Sequence, residues 1–409
     1  LLIGKELGFK TKNVENQVGI IEFGQGEKTL GILAHIDVVP AGEGWTKPPF
    51  KLTIENDTLY GRGVLDDKGP IIGILYVLKK LKDEGFIPKK KIQMIIGTDE
   101  ENLWRGMSYY AKHYKLPDLS FSPDASFPMI FAEKGILDND LSLDLKDNTI
   151  MNGIKLKSFS GGTSRNSVCD KAEIVFEGNH EDLILLKDKI QAIARETKDL
   201  ITIKDNYLTW ISVGVVAHAM QPEKGINAGM VIVDTLAQIT SNKSITLLND
   251  LIGTDFYGHK AGLSFSDDIS GKTTFNVGMI HFTDDVLTLQ NSIRYSVTAD
   301  SAAYELLVKD QLKDLNVNIV DHLKPLYVDK DSELMKILSE VYIEITGDTS
   351  EPISIGGGTY ARMLPNAISF GPCFPDQHEC AHEPDEYFEI DKFQKMMEVY
   401  YGAIVKLTK

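Results

Sequence analysis

GILAHIDVV, residues 31–39, is a nearly continuous apolar run in which the main polar residues are His35 and Asp37. Such a run predicts a strand that is buried on both faces of a sheet. KKIQMIIGT, residues 90–98, has the same character, and between the two runs residues 69–84 carry apolar side chains at helical spacing. Strand, helix and strand in this order predict an α/β layer on a mostly parallel sheet, where sites form at the carboxyl ends of the strands.

A change in the sequence pattern after Gly135 indicates a second kind of structure. From 136 to 326, strands with alternating polar and apolar residues are separated by helical stretches. Helices are expected at 180–197, 230–239 and 302–315. This order predicts an inserted α+β domain made of two ferredoxin-like halves.

The α/β pattern then returns and continues to the C-terminus. A helix is expected at 332–345, followed by a strand in PISI, a glycine run and a final helix capped by Asp391. The chain is therefore expected to contain one α/β domain, at 1–135 and 327–409, interrupted by a domain at 136–326.

The composition excludes several classes of protein. The 409 residues include 43 Lys and Arg against 59 Asp and Glu, a net charge of −16, which argues against nucleic acid or an anionic membrane as a partner. We see no apolar run of the roughly 18 residues that a membrane span needs. The three cysteines are too few for a disulfide framework, so a cytoplasmic setting is expected. The chain starts without Met, and we expect further residues before Leu1.

Polar residues with metal-binding capacity follow several of the expected strands. On a strand, His35 and Asp37 would share a face, so that Asp37 could orient an imidazole that binds a metal. The other groups lie in loops or at helix starts: Asp66 and Asp67, the run Asp99-Glu100-Glu101, Asp124, and His382. Zinc and similar ions prefer these ligand types, and a two-metal hydrolytic site needs a shared carboxylate. A chance placement of His35, a helix cap at Asp67 and a solvated helix start at 99–101 are the alternatives.

Five sequence motifs give the chain a resemblance to a known family. They are HIDVVPAGEGW, YGRGVLDDKGP, GTDEEN, FSPDASFP followed by AEKG, and AHEPDE. Their order and content resemble the M20 metallopeptidases, and within them the dipeptidase V type of Gram-positive bacteria. The resemblance covers nearly the whole chain, although its start is missing and the stretch after Gly135 is short for that type.

The resemblance implies roles for the residues of the α/β domain. One metal ion would be bound by His35, Asp66 and Asp124. A second would be bound by Asp66, Glu101 and His382, with Asp66 bridging the two. Asp37 would orient His35, Glu100 would be the general base, and the peptide bond between Asp66 and Asp67 would be cis.

The resemblance also implies substrate-binding residues elsewhere. In GVVAHAMQPEKGINA, His218 would stabilise the oxyanion, and in SGGTSRN, Asn166 would be a second polar contact. Arg294 in SIRYSVTAD would bind the C-terminal carboxylate of the substrate. Gly357 and Gly358 in GGGTYAR would lie beside the substrate.

Together these features predict a cytoplasmic dipeptidase with two divalent metal ions, zinc first and manganese or cobalt as alternatives. Its substrates would be dipeptides with a free carboxylate, and 136–326 would act as a lid. That domain is longer than the lids of smaller, dimeric M20 relatives, so we expect a monomer in which His218 serves its own chain.

Three alternatives remain open at this point. The same fold could remove acyl or succinyl groups from N-acyl amino acids, or it could be a metal-binding module without activity. HECAH, residues 378–382, matches the HExxH pattern of zincin proteases, which requires a helix. Pro375 and Pro384 flank it and disfavour a helix there.

Overall fold

The structure is a computed structural model that describes residues 1–194 and 198–409. Up to residue 133 the elements are α1 (Leu2–Glu6), β1 (Lys10–Val14), β2 (Val18–Phe23), β3 (Thr29–His35), β4 (Thr53–Glu55), β5 (Thr58–Tyr60), α2 (Lys68–Asp83), β6 (Lys91–Gly97), α3 (Arg105–His113), β7 (Leu119–Ser122), β8 (Ala125–Ser126) and β9 (Ile130–Glu133).

From residue 135 to 323 the elements are β10 (Gly135–Asp144), β11 (Thr149–Met151), β12 (Ile154–Gly161), β13 (Lys171–Glu177), α4 (His180–Ile193), β14 (Lys198–Lys204), β15 (Tyr207–Val213), α5 (Ala228–Ile239), α6 (Lys243–Leu251), β16 (Ser266–Asp267), β17 (Gly271–Lys272), β18 (Thr274–Thr283), β19 (Val286–Tyr295), α7 (Ser301–Gln311) and β20 (Asn316–Leu323). After these come β21 (Leu326–Tyr327), α8 (Glu333–Thr346), β22 (Ile353–Ile355), β23 (Ala367–Ser369), β24 (Pro372–Cys373), β25 (Tyr387–Glu389) and α9 (Ile390–Thr408). Short 3-10 turns lie at Pro222–Lys224 and Tyr360–Met363.

The described residues form two compact units. The first unit contains Leu1–Glu133, Leu326–Ser354 and Gly358–Lys409. The second unit contains Lys134–Pro325 and Ile355–Gly357.

The main sheet of the first unit is mixed. Its strand order is β1-β2-β6-β3-β7-β23-β9-β21, and β22 also pairs with β9. The four central strands, β6, β3, β7 and β23, run parallel to one another. The flanking pairs are antiparallel, so the prediction of a mostly parallel sheet is wrong at both sides. On one side the cause is local, because the short turn between β1 and β2 permits only an antiparallel hairpin.

The centre of that sheet confirms the predicted buried strands. Every residue of β3 is buried, and β6 and β7 pair with it on either side. The helix expected at 69–84 is α2, which ends at Asp83. Glu84 is its C-cap, and Gly85 follows with a left-handed φ of 73°, a conformation that suits glycine. Strand β3 ends at His35, so Asp37 lies in the following loop and the prediction that the two residues share a strand face is wrong.

The expected helices outside this centre are present with shifted ends. Helix α4 ends at Ile193, and residues 195–197 of the expected helix lie outside the described residues. Helix α9 begins at Ile390 after Glu389, so the prediction that Asp391 caps it is wrong. Asp391 lies in the first turn instead, where its charge favours the helix dipole.

The second unit contains one long antiparallel sheet. Its order is β14-β15-β13-β12-β18-β19-β10-β20, with β11 on β12. The halves β14 to β12 and β18 to β20 join where β12 pairs with β18, from Phe159↔Phe282 to Gly161↔Ile280. Residues of this sheet and of α4 to α7 bury a common apolar core that includes Trp210, Leu236 and Ile293. That each half is ferredoxin-like stays a prediction.

In the part of the chain that the structure describes, no helix is both long enough and apolar enough to cross a membrane.

Candidate metal centre

The parallel centre of the first sheet brings the predicted metal ligands to one edge. His35 is the last residue of β3, Glu101 follows the end of β6, and Asp124 follows the end of β7. These strands are neighbours in the sheet, so their carboxyl ends lie side by side. Asp66 enters from the loop before α2, and His382 from the loop between β24 and β25.

His35, Asp66 and Asp124 form one group of potential ligands, the first triad. His35 Nε2 lies 2.9 Å from Asp66 Oδ1 and 3.6 Å from Asp124 Oδ1. The other ring nitrogen, Nδ1, lies 3.0 Å from the Asp37 carbonyl oxygen and 3.5 Å from Asp37 Oδ1. Asp37 therefore contacts one ring nitrogen while Nε2 faces the two carboxylates, and its role in orienting a metal ligand stays a prediction.

Asp66, Glu101 and His382 form the second triad. His382 Nε2 lies 3.0 Å from Asp66 Oδ2 and 3.2 Å from Glu101 Oε2. In each triad the potential ligand atoms lie within 4.8 Å of one another. Asp66 is common to both triads and offers a different oxygen to each histidine.

The electrostatics of the cluster show an excess of negative charge. Burial, together with the charge of Asp66, raises the pKa of Asp124 to about 7, although His35 acts in the opposite direction. Burial and the Asp124 charge raise the pKa of Glu100 well above its ordinary value. Hydrogen bonds to Asp66 and Glu101 raise the pKa of His382 to about 10. Without a cation, protons on the imidazoles offset part of this charge.

The donor set of the two triads fits divalent cations. Imidazole nitrogen and carboxylate oxygen are the ligands that zinc, manganese and cobalt accept in proteins. A cation would take the place of the imidazole protons and relieve the repulsion among the carboxylates.

Asp37 and Asp67 accept hydrogen bonds from backbone N–H groups of the cluster. Asp37 Oδ2 accepts the backbone N–H of Glu101 at 3.0 Å, so it joins the loops after β3 and β6. Burial would raise the pKa of Asp37, but hydrogen bonds from His35 and from the Glu100 and Glu101 backbone lower it.

Asp67 makes no side-chain cap on α2. Its buried Oδ2 accepts the backbone N–H of His35 at 3.1 Å, and the Asp66–Asp67 peptide bond is cis as the resemblance implied.

Sequence reasoning missed three buried residues beside the cluster. Arg62 and Glu386 form a buried ion pair beneath the Asp66 loop. The ring of Tyr360 is fully buried and meets His35 edge to face, with 6.2 Å between the ring centroids. Each of the three lies inside a quoted motif, YGRG, AHEPDE or GGGTYAR. A charged or aromatic residue among glycines or beside a predicted ligand was the available signal.

The second unit brings together His218 and Asn166. His218 lies in the loop after β15, where its Nδ1 accepts the backbone N–H of Met220 at 3.1 Å. The next residue, Ala219, donates its N–H to the Asn166 carbonyl oxygen at 2.8 Å. The two segments therefore run side by side.

Arg294 lies at the same end of the second unit. It is a cross-strand neighbour of Thr274, whose hydroxyl donates to the Ala219 carbonyl oxygen at 2.9 Å. Desolvation, and then the positive charge of Arg294, lower the pKa of His218. The segments that carry His218, Asn166 and Arg294 thus lie in one region of the second unit. Gly357 belongs to the second unit and Gly358 to the first.

The zincin alternative is excluded by the backbone. Residues 378–382, all of them described, form no helix. His378 Nε2 contacts Glu383 Oε2 at 2.8 Å, whereas His382 faces Asp66. The two histidines therefore do not share a metal-binding face.

Comparisons with known proteins agree with this architecture. A Bacillus subtilis (strain 168) protein named "Putative dipeptidase YtjP" is 38% identical over 417 residues, which cover 100% of this chain and 89% of the relative. The "Beta-Ala-Xaa dipeptidase" of Lactobacillus delbrueckii subsp. lactis is 33% identical over 416 residues, 100% of this chain and 88% of the relative.

Among solved structures, the aminoacylhistidine dipeptidase from Vibrio alginolyticus has the same fold. Its TM-score is 0.60 at 17% sequence identity, over 99% of this chain and 91% of that one. The profile of peptidase family M20/M25/M40 matches residues 31–406. The chain therefore belongs to peptidase family M20/M25/M40 and is a hydrolase of the peptidase class.

Proposed function

We propose that this chain is a dipeptidase that uses two divalent metal ions. The observation that carries the proposal is Asp66, whose two carboxylate oxygens face His35 and His382 respectively. A carboxylate shared by two histidine–carboxylate groups is what a two-metal hydrolytic site requires. The names of the Bacillus subtilis and Lactobacillus delbrueckii relatives, both given as dipeptidases, support the same reaction.

The first triad would hold one ion and the second triad the other. The chemistry that such ions supply when bound is polarisation of a carbonyl and a lowered pKa for water. Zinc is our first choice of metal, and manganese and cobalt accept the same ligands. Asp37 would keep His35 in the tautomer that presents Nε2 to the metal.

Glu100 would be the general base. It is adjacent to Glu101 in the loop after β6, and neither triad uses it. Its carboxylate would take a proton from the attacking water and later give that proton to the leaving amine. The peptide C–N bond then breaks after the new C–O bond has formed.

The second unit would supply the substrate contacts and act as a lid. Arg294 would bind the C-terminal carboxylate, which favours dipeptides over proteins. His218 would donate to the oxyanion, an effect worth about 3 kcal/mol for one donor, and Asn166 would be a further polar contact. The backbone of Gly357 and Gly358 would lie along the substrate.

We propose that the enzyme is a monomer in which His218 serves its own chain. Sedimentation of the purified protein tests this. A stable dimer whose activity depends on His218 of the other subunit would contradict it.

The function is tested by a substrate panel with and without a chelator. Purified protein is assayed on dipeptides, including β-Ala-Xaa peptides, and on N-acetyl and N-succinyl amino acids, while its metal content is measured. We expect free amino acids from dipeptides, loss of activity with the chelator, and recovery on addition of Zn²⁺ or Mn²⁺. Faster release of acetate or succinate would favour the deacylase alternative.

The variant Glu100→Gln separates an enzyme from a metal-binding module. It should keep its metal and lose about 10²- to 10⁴-fold in kcat, the usual contribution of a general base. A protein that binds metal but turns over no substrate, with or without Glu100, would contradict the proposal.

A further inference from the structure

The Glu386 carboxylate is fully buried under the turn that presents Asp66. Both of its oxygens accept the Gly63 N–H at 3.0 Å. Glu386 Oε1 also accepts the N–H of Leu65 at 2.8 Å and that of Asp66 itself at 3.2 Å. Several backbone donors that converge on one anion fix the path of a turn. Glu386 thus determines where the Asp66 side chain begins.

Arg62 extends the same contact network to the loop of His382. Its Nη1 donates to Glu386 Oε2 at 2.9 Å, and both side chains are almost fully buried. Its Nη2 lies 3.3 Å from the His382 carbonyl oxygen and 3.3 Å from that of Ala41. The guanidinium also lies over the Trp45 ring, 5.1 Å from its centroid. A planar guanidinium can reach all these partners at once, which the lysine ammonium cannot.

The ion pair therefore joins two ligands that come from loops far apart in sequence. Asp66 Oδ2 and His382 Nε2 lie 3.0 Å apart, and each is attached through its own backbone to Arg62 or Glu386. We propose that Arg62 and Glu386 are positioning residues that set the geometry of the second triad. The proposal rests on the metal-binding function proposed above, because only a bound ion makes that geometry matter.

A second buried pair offers a matched control. Glu133 and Arg362 also belong to the first unit, lie 3.0 Å apart and are 0% and 2% exposed in their side chains. Glu133 accepts the N–H and the hydroxyl of Thr359, at 3.1 and 2.7 Å, and thus holds the segment after the glycine run. A role of buried pairs in stability alone would give both pairs the same phenotype.

The experiment measures metal affinity rather than turnover. Full-length wild type, Glu386→Gln and Glu133→Gln are stripped of metal and titrated with Zn²⁺ or Mn²⁺ against a chromophoric chelator. We expect Glu386→Gln to bind one ion about 10- to 100-fold more weakly, the usual cost of losing a partner that orients a ligand. Glu133→Gln should bind the second ion at the wild-type level even if it melts at a lower temperature, because Glu133 contacts no residue of the second triad. Equal affinity in wild type and Glu386→Gln, or an equal loss in both variants, would overturn the proposal.

Two further variants keep the test decisive if Glu386→Gln folds poorly. Arg62→Lys keeps the positive charge but cannot bind Glu386 and the His382 carbonyl together, so its second-ion affinity should fall while the fold is kept. The double variant Arg62→Leu/Glu386→Gln removes both charges, so it should regain stability without regaining affinity. Recovery of affinity in the double variant, or wild-type affinity in Arg62→Lys, would show that the pair has no positioning role.

The outcome for wild type separates this proposal from the proposed function. If wild type binds two ions but hydrolyses no dipeptide, the function is wrong and the affinity comparison still decides the role of the pair. If wild type binds no divalent ion, both proposals are wrong.

Discussion

The two triads share Asp66 but hold their histidines in different ways. His35 is the last residue of β3, which lies between β6 and β7 in the sheet, and its side chain is 1% exposed. The His382 side chain is 55% exposed and lies in a loop, at a residue with a φ of 66°. The sheet therefore fixes the first histidine, whereas the second depends on a few contacts of its loop.

This difference shows that the two histidines of one cluster can be fixed in position by different kinds of contact. Around His35, order comes from packing and from buried hydrogen bonds to Asp37 and Asp67. Around His382, it comes from the Arg62 contact with the His382 carbonyl and from Asp385, which accepts the Thr46 N–H at 2.9 Å. Substitutions on the two sides should have different consequences for stability and for metal binding.

The largest effect is expected from the residue that the triads share. Asp66→Asn should lose both ions and at least about a thousandfold in activity, because metal catalysis is worth several kcal/mol and about 1.4 kcal/mol corresponds to tenfold. Metal content and kcat/KM are the measurements. Asp99→Asn is the control, since Asp99 pairs with Arg105 at 2.9 Å outside both triads. Two bound ions in Asp66→Asn would contradict a bridging role.

Substitution of each histidine should separate the two sides. His35→Ala and His382→Ala should each reduce the metal content from two ions to one. His35→Ala should also destabilise the metal-free protein by about 1–3 kcal/mol, because it removes a buried, hydrogen-bonded side chain. His382→Ala should leave the melting temperature of the metal-free protein nearly unchanged. Equal destabilisation by the two variants would argue against the contrast in how the histidines are held.

Packing on the His35 side can be tested at Gly97. A Cβ there would lie 2.5 Å from Tyr360 Cε2, and Tyr360 in turn packs against His35. Gly97→Ala should therefore cost about 1–3 kcal/mol and weaken the first site more than the second. Gly19→Ala in β2 is the control, because its Cβ first meets the movable Leu1 side chain, at 3.0 Å. Unchanged melting temperature and affinity in Gly97→Ala would show that Tyr360 does not constrain the site.

The smallest effect is expected at Asp385 and depends on pH. The Thr46 hydroxyl, followed by the N–H groups of Thr46 and Lys47, lowers the pKa of this carboxyl below 3.8. A lowered pKa in the folded state stabilises the protein above the unfolded value, and this contribution disappears as the pH falls through the folded value. Near neutral pH, the free energy of unfolding of wild type should exceed that of Asp385→Asn by at most about 1 kcal/mol.

Thermal melting from neutral pH into the acid range measures that difference. The two melting temperatures should converge below pH 3.8, the ordinary value of the carboxyl. A constant difference across the whole range would mean that the charge of Asp385 contributes nothing.

Local patterns in the sequence were enough to predict the centre of the first sheet. Strands β3 and β6 are continuous apolar runs and α2 has a clear helical period, so each element is determined by its own residues. The antiparallel flank around β9 could not be predicted in the same way. The partners of β9 are β21, β22 and β23, which follow in sequence only after residue 325, and no local pattern encodes such pairings.

The candidate site shows the same division. The ligand types and their places after strands were readable from motifs, and the structure brings His35, Asp66, Glu101, Asp124 and His382 together as expected. Their roles in metal binding stay predictions, as do those of Glu100, His218, Asn166 and Arg294. The Arg62–Glu386 pair was not found, because its importance lies in contacts between distant loops rather than in either residue alone.

The point at which the chain leaves the first unit has a thermodynamic consequence. Glu133 ends β9, Leu326 begins β21, and the two residues are register partners in the same antiparallel ladder. The two ends of residues 134–325 are thus held next to each other by the sheet of the first unit. The entropic cost of closing a loop rises only slowly with the number of residues in it. We therefore expect insertions or deletions within residues 134–325 to change the stability of the first unit little, so that the second unit can diverge in sequence and size while the fold of the first is retained.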